Sequence, residues 1–322
     1  MPHFNWRTRL SSTHFFAPQL VLVALVGACS SVPPPVHDDA YDLPAPEHGV
    51  QLETPEFKVD AGTEIQHCYW FKLPSDVDLE VVKFQVRYLT GSHHMNLFQT
   101  DQDFADHDDD CFKGVFSPMG TNGYNLVVGS QSGKFDWQLP EGVAFKLKAH
   151  RQLMLQTHYV NAQTQGTPAG VGKVRVNLVA ATDPSKIKAH MGTMFANNVN
   201  VEIPPRSERS FTTTCTFPED ANVVAMTGHF HSRGKAFSVN LSPDGTSATD
   251  EVYRSRDWAE PPFTILPEAR AVSKSSGLQY TCSFQNGGNT TIKFGPHVET
   301  DEHCNLFAYF YPWESSDARY CF

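Results

Sequence analysis

The sequence predicts an all-β protein built from two β-sandwich domains. Three observations favour this fold class: the apolar or alternating runs are short, turn residues interrupt them at close intervals, and no segment keeps the 3.6-residue period of an amphipathic helix. The chain has 322 residues, 40% of them hydrophobic and 19% charged, which is enough for two domains with a core each. The chain has a net charge of −10, so it lacks the excess of Lys and Arg that general binding to nucleic acid requires.

Fourteen runs with this pattern predict the strands. In the first half they are Glu64–Leu73, Leu79–Tyr88, Met95–Gln99, Ala144–Ala149, Leu153–Val160 and Val174–Leu178. In the second half they are Val201–Ile203, Arg209–Phe217, Asn222–Met226, Ala236–Leu241, Glu251–Arg254, Ala271–Phe284, Thr291–Phe294 and Leu306–Tyr311. A polar turn containing Pro184 lies between the two halves and predicts a domain boundary, with domains at 50–182 and 183–322.

The first 29 residues predict an export signal. Arg7 and Arg9 give a positive start, and Leu20–Val26 is an apolar stretch too short to span a membrane. The residues that end in Cys29 resemble a bacterial lipobox, which predicts cleavage and lipidation at this cysteine, with an ordinary or uncleaved signal peptide as the alternative. Residues 30–49 are rich in proline and predict a tether. We therefore expect an exported protein, lipid-anchored in the bacterial cell envelope at the outer membrane or periplasmic face, which meets a membrane only through this anchor.

The cysteines also fit an oxidising compartment. Apart from Cys29 there are six, which are Cys68, Cys111, Cys215, Cys282, Cys304 and Cys321. An even number in an exported chain favours three disulfides, although six cysteines allow fifteen pairings and the sequence alone does not choose among them. No two of them form a Cys-X-X-Cys pair, which argues against a zinc site made of cysteines.

Histidines in four segments predict metal binding. His229 and His231 lie two residues apart on a predicted strand, so their imidazoles should project from one face and offer two nitrogen ligands to Cu or Zn. Two partly buried, hydrogen-bonded histidines are the alternative. His93 and His94 are adjacent, so they can bind one ion only if the strand bulges or twists there. His158 lies in another predicted strand, where it would complete a site of three histidines.

The fourth segment places His303 beside Cys304, where a disulfide would hold the backbone that presents the imidazole. Taken in order, the segments His93-His-Met, Gln156-Thr-His-Tyr, His229-Phe-His and Asp301-Glu-His-Cys-Asn-Leu resemble the copper type II, ascorbate-dependent monooxygenases. This family includes peptidylglycine α-hydroxylating monooxygenase and dopamine β-monooxygenase. The resemblance covers about residues 60–322. It implies two antiparallel jelly-roll-like β-sandwich domains that face each other across a cleft, with one copper in each and two coppers per chain.

The resemblance also implies roles for the histidines. The first-domain copper, which transfers electrons, would be bound by His93, His94 and His158. The second-domain copper, which activates O₂ beside the substrate, would be bound by His229, His231 and His303. His303 stands where the family has methionine, and this exchange should change the redox potential and the metal preference because a thioether favours Cu(I). Gln156 matches the Gln-X-His pattern of the family and is expected on the route between the domains, or else as an ordinary strand residue.

The implied activity is hydroxylation of a C–H bond of a small organic substrate, with O₂ and an external one-electron reductant such as ascorbate. No catalytic residue is expected beyond the metal ligands. The alternative function is a non-catalytic, exported lipoprotein that binds or delivers copper. The His303 exchange and the altered substrate contacts described next leave room for this alternative.

Three positions bear on the substrate. Thr227 replaces an arginine with which peptide-specific members bind a carboxylate, Phe307 replaces a tyrosine, and Asn305 is kept. Without the bidentate arginine a carboxylate is poorly held, so we expect a smaller or less charged molecule than a glycine-extended peptide. Finally, the resemblance implies the disulfides Cys68–Cys111, Cys215–Cys321 and Cys282–Cys304.

Overall fold

A computed structural model of the chain describes residues 41–73, 76–89, 92–104, 111, 123–315 and 317–322, together with the backbone of 107–108. The predicted signal segment, Cys29 and residues 30–40 of the predicted tether lie outside the described residues. The described part is all-β, as predicted: it has no α-helix, and its one helical turn is a 3₁₀ turn at Pro184–Lys186. No helix within it has the length and apolar character needed to cross a membrane.

The first half contributes two main sheets. Its described strands are β1 (Gly49–Glu53), β2 (Phe57–Val59), β3 (Thr63–Lys72), β4 (Leu79–Tyr88), β5 (Ser92–Thr100), β6 (His107–Asp108), β7 (Tyr124–Ser130), β8 (Lys134–Gln138), β9 (Val143–Leu147), β10 (Gln152–Asn161), β11 (Gly170–Gly172) and β12 (Val174–Ala180). One sheet has the order β1-β12-β4-β9, with β8 also paired to β4. The other has the order β6-β3-β10-β5-β7, and β2 pairs with β11.

The second half contributes two further main sheets. Its described strands are β13 (Ala189–His190), β14 (Gly192–Asn197), β15 (Glu202–Ile203), β16 (Ser207–Thr216), β17 (Ala221–His229), β18 (Gly234–Ser242), β19 (Glu251–Ser255), β20 (Thr264–Val272), β21 (Gly277–Asn286), β22 (Ile292–Lys293), β23 (Asn305–Tyr311) and β24 (Arg319–Cys321). The sheets have the orders β20-β17-β23-β14-β24 and β16-β21-β18-β19, and β15 pairs with β22. β13 instead lies parallel to β9 in a first-half sheet.

All but one of the predicted runs fall on single strands. The run Ala271–Phe284 is divided between β20 and β21, because a turn closed by the hydrogen bond from the Ser276 N–H to the Ser273 carbonyl separates them. The sequence does not predict β7 and β14. Every residue of both strands is buried, so the alternation that reveals a half-exposed strand is missing.

The apolar side chains form two buried clusters. One cluster draws on both first-half sheets and also includes Phe195, Phe307 and Tyr309 from the second half. The other lies within the second half, around Phe230 and Phe237. The Tyr309 hydroxyl also accepts a hydrogen bond from the Gly129 N–H at 3.0 Å. The described residues thus form one compact unit, and the domain boundary near residue 182 and the jelly-roll connectivity stay predictions.

Three disulfides brace the sheets. They are Cys68–Cys111, Cys215–Cys321 and Cys282–Cys304, the three pairs that the family resemblance implies. The last two each connect the sheet containing β21 to the sheet containing β23, so both hold the two second-half sheets together.

Candidate metal centre

The first histidine set lies on the antiparallel strands β5 and β10. His158 pairs with His94, whereas the next residue, Tyr159, pairs with Ser92, so His93 is the extra residue of a β-bulge. The bulge turns the adjacent histidines toward a common point. The ring centroids of His93 and His94 lie 5.2 Å apart, and that of His158 lies 5.0 Å and 4.9 Å from them. The predicted bulge is confirmed.

The second histidine set lies at the ends of β17 and β23. β17 ends at His229, and the ring of His231, just beyond it, lies 5.2 Å from the ring of His229. Asn305 opens β23 and pairs with His229, so His303, two residues earlier, reaches the same place. Its ring lies 5.2 Å from the ring of His229 and 4.4 Å from that of His231.

The two sets meet in one cluster. The His93 ring lies 5.2 Å from His229 and 5.5 Å from His231, and the His94 ring lies 4.8 Å from His229. All six histidines are at most 7% exposed. The sequence predicts two sites that face each other across a cleft. The structure brings them into contact instead, because β14, β17 and β23 contribute side chains to the first-half core.

The cluster contains imidazole nitrogens that have no hydrogen-bond partner. Within the described residues, two groups of three have ligand atoms within 4.8 Å of one another, namely His93, His94, His158 and His93, His229, His231. Five ring nitrogens are buried without a protein partner: His93 Nε2, His94 Nδ1, His158 Nδ1, His229 Nε2 and His231 Nε2. Since buried polar atoms nearly always have partners, such a concentration of imidazole nitrogens fits a metal such as copper or zinc.

His303 differs from the other five. It belongs to neither group of three, and its Nδ1 lies 3.2 Å from the carbonyl oxygen of Glu302. Its ring stacks on Phe294, with centroids 4.9 Å apart and an interplanar angle of 21°. The residue that replaces the family methionine therefore lies against the second set, held by a backbone carbonyl and an aromatic ring.

A carboxylate supports the first set. Glu64, on β3, accepts a hydrogen bond from His158 Nε2 at 2.6 Å and another from the Val298 N–H at 3.0 Å. His158 therefore keeps its proton on Nε2 and turns its Nδ1 lone pair to the cluster. Burial raises the pKa of Glu64, but the hydrogen bond from His158 outweighs it together with smaller effects, and the net pKa lies below the usual value. No local pattern in the sequence points to Glu64 as a partner of the histidines.

Uncharged oxygen atoms support the second set. His231 Nδ1 lies 3.2 Å from the Asp301 carbonyl oxygen, and His229 Nδ1 lies 2.9 Å from Gln131 Oε1. Both histidines therefore turn Nε2 to the cluster. The fully buried Glu302 accepts hydrogen bonds from the backbone N–H groups of His231 and Arg233, at 2.9 Å and 2.6 Å, which fixes the backbone beyond β17. Burial raises the pKa of Glu302 to about 7.

The imidazoles are neutral at neutral pH. Burial is the main cause that lowers the pKa of every histidine in the cluster, and neighbouring imidazoles lower several of them further. The pKa of His303 falls to about 4. Neutral imidazole is the form that binds metal ions, so protons do not compete with a metal at pH 7.

A small cavity of about 30 Å³ adjoins the cluster. Asn305 and Phe307, two of the three predicted substrate contacts, line it. Thr227 is buried on β17, opposite Phe307, and is not among the lining residues. The remaining lining residues are Gln66, His94, Asn96, Gln156, Phe195, Asn197, His229, Phe294 and His303. The described part of the wall is therefore made of amides, aromatic rings and imidazoles, and no ammonium, guanidinium or carboxylate group belongs to it.

Gln156 lies in this wall, within a network of amides. Its Oε1 accepts a hydrogen bond from Asn96 Nδ2 at 3.0 Å, and its Nε2 donates to Gln66 Oε1 at 3.3 Å. The network lies beside the junction of the two histidine sets.

Comparison with known proteins agrees with this chemistry. Residues 189–322 match the family model of the copper type II ascorbate-dependent monooxygenase C-terminal domain. The comparisons support the copper type II monooxygenase family. The peptidyl-glycine alpha-amidating monooxygenase A of Xenopus laevis is 25% identical over 254 residues, which cover 76% of this chain. The aligned part makes up 26% of that relative, so the chain spans about a quarter of its length.

Solved structures add little. The STIV MCP gives a TM-score of 0.31 at 7% identity and covers 81% of this chain and 96% of that one. The major capsid protein of Bacteriophage PM2 gives a TM-score of 0.27 at 10% identity, with 82% and 98% covered. Similarities at this level support no conclusion about fold or function.

Proposed function

We propose that this chain is a copper-dependent monooxygenase that hydroxylates a C–H bond of a small organic substrate, using O₂ and an external reductant of the ascorbate type. One observation carries the proposal: six histidines from four distant segments converge, and five of them present a buried ring nitrogen without a protein partner. The family match of residues 189–322 favours copper over zinc. The proposal includes two coppers per chain, one at His93, His94 and His158 and one at His229, His231 and His303.

The protein prepares the site in three ways. When bound, copper would supply the activation of O₂ and the transfer of single electrons. The chain keeps the protons of His158, His229 and His231 on the nitrogens that face away from the cluster, by means of Glu64, Gln131 and the Asp301 carbonyl. Burial of the imidazoles excludes water and keeps them neutral.

The adjoining cavity restricts the substrate. Its amides, including Asn305, offer hydrogen bonds, and Phe307 offers an apolar face. None of the described residues that line it is a lysine or an arginine, so a carboxylate there would lose its hydration without gaining an ion pair from them. The substrate is accordingly a small molecule without a carboxylate, oriented by amide hydrogen bonds.

Export and anchoring are part of the same proposal. The lipobox-like segment that ends in Cys29 supports a chain that is exported to the bacterial cell envelope and attached there by a lipid. The three disulfides support an oxidising compartment. The family resemblance supports two jelly-roll-like domains, at 50–182 and 183–322, and the net charge of −10 argues against nucleic acid as a partner.

A second candidate is an exported protein that binds or delivers copper without oxygenation. His303 favours it, because this imidazole stands at the position where the family provides a thioether for Cu(I). The direct contact between the two histidine sets is as compatible with metal storage as it is with chemistry across a cleft.

Copper stoichiometry and O₂ consumption test both functions. The chain without residues 1–29 is loaded with copper, dialysed against a zinc competitor and analysed for both metals. We expect two coppers per chain, one after His94→Ala, one after His231→Ala, and two in the control His150→Ala, whose exposed side chain lies outside the cluster. We also expect ascorbate-driven O₂ consumption with at least one member of a panel of uncharged small molecules.

The outcomes separate the candidates. Two coppers without O₂ consumption by any panel member would favour binding or delivery. Loss of copper to zinc at the second set, or no bound copper, would refute the two-copper monooxygenase.

A further inference from the structure

Gln131 lies between the two histidine sets. It follows the last residue of β7, is 7% exposed, and belongs to none of the histidine segments. Its Oε1 lies 2.9 Å from His229 Nδ1, and its Nε2 lies 3.3 Å from His93 Nδ1. One carboxamide from the first half thus contacts an imidazole from each half.

Two backbone carbonyls determine which end of the Gln131 carboxamide is the oxygen and which is the NH₂ group. Gln131 Nε2 lies 3.2 Å from the carbonyl oxygen of Trp258 and 3.4 Å from that of Ala259. A carbonyl oxygen only accepts hydrogen bonds, so the end that faces both carbonyls must be the NH₂ group. The opposite end, which faces His229, must therefore be the oxygen.

This orientation determines where His229 carries its proton. An amide oxygen only accepts, so His229 Nδ1 must donate, and in the neutral imidazole the lone pair is then on Nε2. His229 Nε2 is the nitrogen that is buried without a partner. Gln131 thereby makes His229 ready to bind a metal.

The same carboxamide has the opposite effect on His93. Its NH₂ group has two hydrogens, so the carbonyls of Trp258 and Ala259 share one and the other is donated to His93 Nδ1. The neutral imidazole of His93 then carries its proton on Nε2, the nitrogen that is buried without a partner. To bind a metal through Nε2, His93 must move its proton to Nδ1 and lose this contact. Gln131 therefore favours metal binding at His229 and opposes it at His93.

We propose that Gln131 is a positioning residue that selects the imidazole tautomers of His229 and His93 and so makes the second histidine set the stronger metal site. The proposal rests on the copper function proposed above only for the identity of the metal. The orientation of the carboxamide and the resulting tautomers are properties of the metal-free chain.

The first test needs no metal. Histidine is labelled with ¹⁵N in the metal-free chain, the tautomer of each imidazole is determined from its ¹⁵N shifts, and the signals of His229 and His93 are assigned from their loss in His229→Gln and His93→Gln. We expect His229 with its proton on Nδ1 and His93 with its proton on Nε2. A proton on His229 Nε2 would overturn the proposal, whatever the chain does with copper.

The second test uses copper(II) alone as the probe. Gln131→Leu and Gln131→Glu are each placed in a His94→Ala background, which leaves the second set, and in a His231→Ala background, which leaves the first. We expect Gln131→Leu to weaken copper at the second set by about 10- to 100-fold and to change its electron paramagnetic resonance spectrum. Gln131→Glu should restore much of the affinity, because a carboxylate still accepts from His229 Nδ1. At the first set neither variant should weaken binding.

Gln152→Leu is the matched control. Gln152 is also a buried glutamine that contacts backbone at both ends of its amide, at Phe104, but it contacts no histidine of the cluster. It should leave both copper affinities unchanged. If the parent chain binds copper at both sets and Gln131→Leu binds it equally well, the proposal fails while the proposed function stands. If the parent chain binds no copper but the tautomers are as expected, the copper function fails and the positioning role stands.

Discussion

The two histidine sets are supported by different kinds of structure. The first set stands on β5 and β10, neighbouring strands within a five-stranded sheet, and a carboxylate, Glu64, holds its His158. The second set stands at a strand end and on the segment before β23, and its imidazoles contact the amide oxygen of Gln131 and the backbone carbonyls of Asp301 and Glu302. A carboxylate partner makes an imidazole a more basic ligand. The carboxylate charge should therefore add to Cu(II) affinity at the first set, whereas the second set depends on covalent bracing and on amide and carbonyl partners.

The largest effect should come from removal of the Cys282–Cys304 disulfide. Replacing both cysteines by serine should lower the free energy of unfolding by about 2–5 kcal/mol. It should also weaken copper at the second set, because Cys304 directly follows His303. Denaturant unfolding and copper titration measure the two effects.

The Cys215–Cys321 pair provides the control, since it joins the same two sheets and lies apart from the histidine cluster. Its double serine variant should lose comparable stability and keep copper at the second set. Equal copper affinities in the two double variants would show that the second set does not depend on local bracing.

A smaller effect is expected for Glu64→Gln. Both donors, His158 Nε2 and the Val298 N–H, contact the same oxygen of Glu64, and an amide oxygen can accept from both, so this variant removes mainly the negative charge. We expect copper(II) affinity to fall about 10- to 100-fold at the first set and to stay nearly constant at the second.

Copper titration of single-set backgrounds measures this, with Glu53→Gln as the control because Glu53 pairs with Arg175 and Lys173, away from the cluster. An equal loss of copper affinity at both sets would contradict the conclusion that the charge of Glu64 supports the first set and not the second.

The smallest effect is a difference in pH dependence between the sets in the metal-free chain. Burial lowers the pKa of His231 well below the usual value, and that of His158 less, because Glu64 opposes the effect. The unfolded chain, with a pKa of about 6.5, binds the proton first, so stability is complete above pH 6.5 and falls as the pH drops toward the folded pKa. Each such histidine contributes at most about 1.4 kcal/mol per pH unit.

Urea unfolding between pH 7.5 and pH 5 measures this slope. His231→Gln should flatten it more than His158→Gln does. The reverse order would show that the carboxylate does not offset burial at His158.

The sequence predicts the parts of the site that follow from local alternation. The adjacency of His93 and His94 requires a bulge, and the bulge is there. The spacing of His229 and His231 places both rings on one side of the chain, and their centroids lie 5.2 Å apart. Alternation fails for β7 and β14, which are buried on both faces and so have no polar side to reveal them.

The partners that prepare the imidazoles could not be predicted. Glu64 is 94 residues from His158, and Gln131 is 98 residues from His229, so neither has a local signal in the sequence. The contact between the two histidine sets could not be predicted from the sequence either. Spacing along a strand decides which face a side chain takes, but the distance between the sets depends on how β14, β17 and β23 pack against the first-half core.

The hydrogen bond between Glu64 and Val298 joins residues 234 positions apart. Contacts of such sequence separation form late in folding, because a long loop must close before they are made. A chain that is synthesised from its N-terminus therefore contains His93, His94, His158 and Gln131 well before His303 is added. During that interval a metal ion would meet the first set alone, and Gln131 would have no His229 to hold. The order of synthesis thus makes the first set available to a metal ion before the second set is complete.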